Sequence, residues 1–154
     1  MKPFDDYPGD GKTLLRKRRG ANTRREDAPE LMSLTGAHTC AFCGEVDFRA
    51  SYGTWLLVTL DHAVPRGECE RLGVPIDMQE SFSNAVLACS GCNGLDNRYR
   101  AERATPKKVW SLAEFVRFRD RVFEERKPRV LAARQADLNF FASKPWSMRT
   151  TRRG

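Results

Sequence analysis

Two short apolar runs near the middle of the chain predict β-strands. Residues 54–60 read TWLLVTL and residues 84–88 read NAVLA, and both runs are rich in residues that strands favour. Residues 63–83, between them, contain prolines and glycines too often for a long helix and predict a loop. The polar, basic residues 90–103 predict a short helix despite their glycines. The expected order is therefore strand, loop, strand, helix.

Helical spacing dominates the C-terminal third of the chain. Ser111 followed by Glu114 forms a capping box, which marks the start of a helix. Apolar residues then recur on one face and predict packing against a core. These residues are Leu112, Phe115, Val116, Val122 and Phe123. Because proline lacks an amide hydrogen, Pro128 is expected to break or restart this helix. A second helix over residues 129–141 is then expected to pack through Leu131, Leu138 and Phe141.

These patterns divide the chain into four segments. Residues 1–30 carry Gly, Pro and charge without apolar periodicity, which predicts a basic, flexible extension with one short helix around Leu14. Residues 31–105 form the predicted core, residues 106–145 a helical buttress, and residues 146–154 a basic tail.

The charge of the chain favours a polyanionic partner. The 154 residues carry a formal net charge of +7, and basic side chains near phosphates release condensed counterions, so nucleic acid is the leading partner. Excess arginine that only keeps a small protein soluble is the alternative. No run approaches the roughly 20 apolar residues that span a bilayer, and the first ten residues lack the apolar core of a secretory signal. We therefore expect a cytoplasmic protein with no membrane partner.

Four of the five cysteines form two C-x-x-C pairs that suit a structural zinc ion. Cys40 and Cys43 read CAFC, and Cys89 and Cys92 read CSGC. Each pair can clamp one edge of a tetrahedral zinc ion. Disulfides are not expected without a secretion signal, and a cytidine-type deaminase would need an H-x-E motif that neither histidine begins. The fifth, Cys69, has no pair and is expected to be a free thiol.

The segment between the cysteine pairs carries the chemistry. In order, the chain presents C-x-x-C, D-H-x-x-P at residues 61–65, and N-x-x-x-x-C-x-x-C-N at residues 84–93. Over residues 38–99 this series resembles the HNH endonucleases of the ββα-metal class, in the subgroup whose last histidine is replaced by asparagine. The resemblance implies an α+β fold, namely a small ββα-metal core with a structural four-Cys zinc site, followed by C-terminal helices.

The resemblance also assigns roles to four residues. It implies that His62 is the general base, that Asp61 and Asn93 hold the catalytic Mg²⁺ or Mn²⁺, and that Asn84 fastens the loop carrying the base. The residue types agree with these roles, because phosphodiester hydrolysis needs a base that deprotonates water and a cation that stabilises the developing negative charge. Imidazole accepts a proton near neutral pH, and carboxylate and amide oxygens are hard ligands that suit Mg²⁺. In this chain the loop from His62 to Asn84 is longer than is usual in the family and lacks its Gly-Gly.

DNA is the expected substrate and partner. Arg98, Arg100 and Arg103 follow the motif and are expected to hold phosphates beside the scissile bond, with an ordinary solvated basic helix as the alternative. A monomer that nicks DNA and a homodimer that cuts both strands both fit a short chain with one active site. Two other functions stay open at this point. One is a catalytically silent zinc-ribbon protein that binds nucleic acid, and the other is an interaction module in which zinc only builds a surface.

Overall fold

The computed structural model describes residues 26–102 and 104–144. These residues form a mixed α/β fold with one small sheet and a long C-terminal helix. Its elements are α1 (Asp27–Thr35), α2 (Tyr52–Leu56), β1 (Val58–His62), α3 (Arg66–Leu72), α4 (Ile76–Gln79), a 3-10 turn (Phe82–Asn84), β2 (Ala85–Cys89) and α5 (Leu112–Ala142). The expected helix near Leu14, the basic tail and Arg103 lie outside the described residues. Most of the expected extension, residues 1–25, also lies outside the described residues, and its last residues belong to α1.

The two predicted strands are present and pair with each other. β1 and β2 are antiparallel, in a register that runs from Val58 opposite Cys89 to His62 opposite Ala85. Every residue of β2 is buried, so this strand forms the centre of the fold. The first strand starts later than predicted, because Thr54 and the two residues after it belong to α2. There the side chain of Ser51 accepts a hydrogen bond from the Thr54 amide in a capping box, and this local cap starts a helical turn that overrides the β preference of the run.

The loop between the strands contains less irregular structure than the sequence predicts. It holds no long helix, as expected, but it contains the short helices α3 and α4. Pro65 and Pro75 occupy their N-cap positions, and Gly73 ends α3 in the left-handed conformation at φ +71°. Proline and glycine therefore delimit short helices here instead of excluding them.

The helix predicted for residues 90–103 is wrong over the described residues 90–102. This segment is a series of turns after β2. Gly94 and Asp96 have φ values of +85° and +63°, which a right-handed helix cannot contain. The helix that the resemblance to ββα-metal proteins implies after β2 is thus absent from residues 90–102.

The predicted break at Pro128 is also wrong, because α5 runs through it without interruption. Arg126 and Val130 are fully buried on either side of the proline. Packing at these positions outweighs the cost of about 3 kcal/mol that a helix-interior proline carries. The expected capping box of Ser111 and Glu114 is confirmed. The expected packing of residues 131–141 is wrong, because Leu131, Leu138 and Phe141 are exposed.

Two apolar clusters meet along α5. One surrounds β2 and the four paired cysteines and includes Phe123 and Val130 from α5. The other lies under α3 and includes Phe115 and Val122. Cys69 is buried in this second cluster as a free thiol, as expected. Because α5 contributes to both clusters, it holds the sheet and the α3 region together. No helix in the described part of the chain is long and apolar enough to cross a membrane.

Candidate metal centre and catalytic site

The four paired cysteines converge on one point. The Sγ atoms of Cys40, Cys43, Cys89 and Cys92 all lie within 4.8 Å of one another. Four sulfurs at about 2.3 Å from a zinc ion are about 3.8 Å apart in a tetrahedron, so a small contraction would complete the site. All but Cys43 are buried. Four convergent thiols fit a structural metal ion such as zinc.

Short-range hydrogen bonds shape each cysteine pair. The Gly44 amide donates to the Cys40 carbonyl at 2.8 Å, and the amides of Cys92 and Asn93 donate to the Cys89 carbonyl at 2.8 and 2.9 Å. The Cys89 amide also donates to the Cys40 sulfur at 3.4 Å and joins the two pairs. Amide hydrogen bonds to sulfur stabilise the thiolate form that zinc needs.

Without a metal, the thiols hold their protons unequally. A hydrogen bond with Cys89 and burial raise the pKa of Cys40 to about 12, and burial and the neighbouring sulfurs raise the pKa of Cys92 to about 12. The hydrogen bond from Cys40 lowers the pKa of Cys89. Binding of zinc must therefore displace protons from this centre.

The end of β1 carries Asp61 and His62 side by side. Asp61 is 6% exposed. Its Oδ1 accepts the His62 amide at 2.8 Å, and its Oδ2 accepts Arg126 Nη2 at 3.2 Å. Burial raises the pKa of this carboxyl, while the charge and hydrogen bond of Arg126 oppose the rise.

Arg126 is a residue of this site that the sequence interpretation missed. Its side chain is fully buried. Its Nη1 donates to the carbonyls of His62 and Ala63 at 2.6 and 2.8 Å, and its Nη2 reaches the Leu95 carbonyl at 3.5 Å. One guanidinium thus ties α5 to the end of β1 and to the turns after β2. A signal existed, since residue 126 falls on the apolar face of α5 at helical spacing from Val122.

The imidazole of His62 faces Glu80. His62 Nε2 lies 3.8 Å from Glu80 Oε2, and among the described residues this buried nitrogen has no hydrogen-bond partner. The His62 side chain is 30% exposed while Glu80 is nearly buried. Solvent therefore reaches the ring on edges other than the one that carries Nε2. Glu80 was also missed, and nothing in its sequence position, within an expected loop, distinguished it.

Asn84 is fully buried and bonds both ends of the segment that follows β1. Its Oδ1 accepts the Val64 amide at 2.9 Å, and its Nδ2 donates to the carbonyls of Val64 and Gln79 at 3.2 and 3.0 Å. Its own carbonyl accepts the Ala63 amide at 2.7 Å. The residue thereby links the chain just after His62 to the chain just before Glu80.

The remaining predicted residues lie in the segment that follows β2. Asn93 follows Cys92 directly and is half-buried, with its backbone fixed by the second cysteine pair. Arg98 and Arg100 are exposed, and Arg100 Nη1 lies 3.5 Å from Glu68 Oε2. Any function assigned to the chain rests on these contacts, since comparisons with family models, curated proteins and solved structures found no match to it.

Proposed function

We propose that the protein is a metal-dependent endonuclease of the HNH type that hydrolyses phosphodiester bonds of DNA, with His62 as its general base. The observation that carries the proposal is the pair of contacts around His62. Asn84 fastens the backbone two residues after the histidine, and Glu80 faces its Nε2. The core would be a ββα-metal unit whose third element is a set of turns held by zinc.

A hydrogen bond from Nε2 to Glu80, which lies 3.8 Å away, would give the imidazole a defined orientation. With Nε2–H directed at the Glu80 carboxylate, Nδ1 is the unprotonated nitrogen and takes the proton from the attacking water. Since Asn84 holds the backbone just after His62 and Glu80 lies beside the ring, little reorganisation would be needed when the substrate arrives. General base catalysis of this kind contributes about 10²- to 10⁴-fold to a rate.

Asp61 and Asn93 would hold the divalent cation. Each carboxylate oxygen of Asp61 accepts one hydrogen bond from the protein, which leaves lone pairs for a metal. Asn93 adds an amide oxygen, and hard oxygen ligands suit Mg²⁺ or Mn²⁺ with water in the remaining positions. When bound, the cation stabilises negative charge on the phosphate and on the leaving oxygen. Arg126 holds the Asp61 carboxylate in place, and a zinc ion bound to Cys89 and Cys92 would fix the backbone of Asn93.

One observation favours a second function, a catalytically silent zinc-ribbon protein that binds nucleic acid. Asp61 is buried in an ion pair with Arg126, and buried pairs of this kind also occur as purely structural elements. In that case the basic side chains bind nucleic acid and His62 has no catalytic role.

Cleavage of supercoiled plasmid separates the two functions. Wild type, His62→Ala and His38→Ala are compared with Mg²⁺, with Mn²⁺ and without added cation. Because the chain has two histidines, His38→Ala is the matched control. We expect cation-dependent nicking or linearisation by wild type and His38→Ala, and a loss of at least 100-fold in His62→Ala with its zinc retained. Absence of cleavage by wild type under every condition, with salt-sensitive DNA binding intact, would establish the binding protein instead.

A further inference from the structure

Two adjoining cavities lie along the first half of α5. One, of about 440 Å³, is lined by Arg100, Arg121 and Arg129 together with Tyr99. The other, of about 490 Å³, is lined by Lys107, Arg117 and again Arg121. Because Arg121 and Ala104 border both, the two cavities adjoin each other. We call the pair the basic groove, defined by Arg100, Lys107, Arg117, Arg121 and Arg129.

The arginines of α5 form a row along this groove. Arg117 and Arg121 are about one helical turn apart and share a face, and Arg129 lies about two turns further on, so the row winds about 120° around α5. Twelve residues of α-helix span about 18 Å. One strand of a B-form duplex rises about 3.4 Å per nucleotide, so the row is long enough for about five nucleotides of backbone.

Much of the positive charge in the groove is available to a ligand. Arg117 has no ion-pair partner within the described ranges, and the nearest contact of Arg121 to a carboxylate is 4.0 Å, to Glu125. Glu68 already accepts two hydrogen bonds from Arg71, at 2.6 and 2.8 Å, and Arg100 is only its second and more distant cation.

Two of the acidic residues that line the groove already accept hydrogen bonds from neighbouring side chains. Glu125 accepts the hydroxyl of Tyr99, and Glu114 accepts Lys107 and the capping residue Ser111. Three carboxylates line the cavities against five cations, the third carboxylate being Glu102. Outside the cavity linings, Asp96 pairs with Arg129 and Glu68 with Arg100, so the positive charge left for a ligand lies mainly at Arg117 and Arg121.

One end of the groove borders the candidate catalytic site. Arg129 Nη2 binds Asp96 Oδ1 at 2.9 Å. Arg126, three residues earlier on α5, reaches the Leu95 carbonyl and Asp61. Asn93 belongs to the same series of turns as Leu95 and Asp96. The Arg129 end of the groove is therefore the end that contacts of α5 join to Asp61.

We propose that the basic groove binds the phosphodiester backbone of a nucleic-acid strand and directs it to the site of His62. The direction toward His62 rests on the proposed function, whereas binding in the groove does not. The proposal moves the contact surface from Arg98 to α5, because Arg98 lines neither cavity. Of the two described arginines that the sequence predicted to bind phosphates, Arg100 lines the groove and Arg98 does not.

The salt dependence of binding tests this proposal. The full chain with His62→Ala, without added divalent cation, is titrated with a labelled 20-base-pair duplex between 50 and 300 mM salt. The background variant is compared with Arg117→Gln/Arg121→Gln and with Arg98→Gln, an exposed arginine outside the groove. Each lost phosphate contact lowers the slope of log K against log salt by about 0.9 for B-form DNA. We expect a fall of about 1.8 for the double variant and less than 0.3 for Arg98→Gln.

Two results would contradict binding of the nucleic-acid backbone in the groove. One is an unchanged slope in the double variant, and the other is an equal fall in Arg98→Gln. A single-stranded DNA and an RNA of the same length report which backbone the groove prefers. Polyglutamate of equal charge is the competing ligand. If it binds more tightly than every nucleic acid, the groove is a site for acidic protein and not for a nucleic-acid strand. Because binding is measured in a variant lacking His62, a failed cleavage assay does not affect the result for the groove. Conversely, cleavage by wild type together with unchanged salt slopes would contradict only the proposal that the groove binds the strand.

Discussion

The four-Cys centre and the His62 site are held in place by different kinds of contact. In the cysteine centre, each pair is shaped by amide hydrogen bonds that span three or four residues, such as Gly44 to Cys40 and Asn93 to Cys89. At the His62 site, the positioning groups come from far along the chain, with Arg126 binding the carbonyl 64 residues earlier. The first centre is therefore built mainly by its own turns, while the second depends on the docking of α5 and of the segment before β2.

The largest effect is expected from loss of the metal centre. Cys92→Ser should release the metal and unfold the sheet region, because metal binding in such sites is worth about 10 kcal/mol or more of folding free energy. Metal content by mass spectrometry and thermal unfolding measure the effect. Cys69→Ala is the matched control, since Cys69 is a buried thiol outside the cluster. A Cys92→Ser protein that keeps one metal per chain and melts with wild type would contradict a structural role for the cluster.

Arg126 should give the second largest effect, without loss of the metal. Arg126→Met keeps the length of the side chain but leaves the Asp61 carboxylate buried without its cation, which costs about 3–5 kcal/mol. The exposed Arg129 also pairs with an acid, Asp96, and Arg129→Met should cost less than about 1 kcal/mol. Urea unfolding of both variants measures the difference.

A double variant sharpens the prediction for Arg126. Replacing Asp61 as well, in Asp61→Asn/Arg126→Met, removes the buried charge, so the two costs should be far from additive. Equal costs for Arg126→Met and Arg129→Met would show that the long-range ion pair does not hold the end of β1.

The same contrast explains what the sequence could predict. The C-x-x-C pairs and the Ser111 capping box are recognisable because their partners lie within a few residues. Arg126 and Glu80 are not recognisable, because a single charged residue does not reveal which distant carbonyl or imidazole it will meet. The errors have the same origin, since packing at Arg126 and Val130 carries α5 through Pro128 and two left-handed residues divide the segment after β2 into turns.

Asn84 tests whether the long-range contacts matter for activity. Asn84→Ala removes the side-chain hydrogen bonds to the backbone of Val64 and Gln79. A buried group left unpaired costs about 1–3 kcal/mol, and plasmid cleavage should fall more steeply than stability because His62 loses its support. Asn139→Ala, at an exposed position on α5, is the control. Cleavage at the wild-type rate in a folded Asn84→Ala protein would argue against any positioning role.

The smallest effect on cleavage is expected from substitution of Glu80, and it should act specifically on the tautomer of His62. Glu80→Ala removes the carboxylate that faces His62 Nε2, whereas Glu80→Gln keeps an acceptor oxygen. In ¹⁵N spectra of the wild type, His62 should show a protonated Nε2 and an unprotonated Nδ1, and His38→Gln assigns the signals because only two histidines are present. Glu80→Ala should shift the population toward the other tautomer and slow cleavage by about tenfold, a part of the 10²- to 10⁴-fold that general base catalysis contributes.

The conservative Glu80→Gln variant separates orientation from simple stability. If Glu80 acts by holding Nε2–H, Glu80→Gln should restore most of the wild-type tautomer and most of the rate, since the amide oxygen still accepts that hydrogen. A merely structural role would leave the tautomer signals of both variants like those of the wild type. The spectra need neither a divalent cation nor DNA, so they test the long-range support of His62 even in a protein that cleaves nothing.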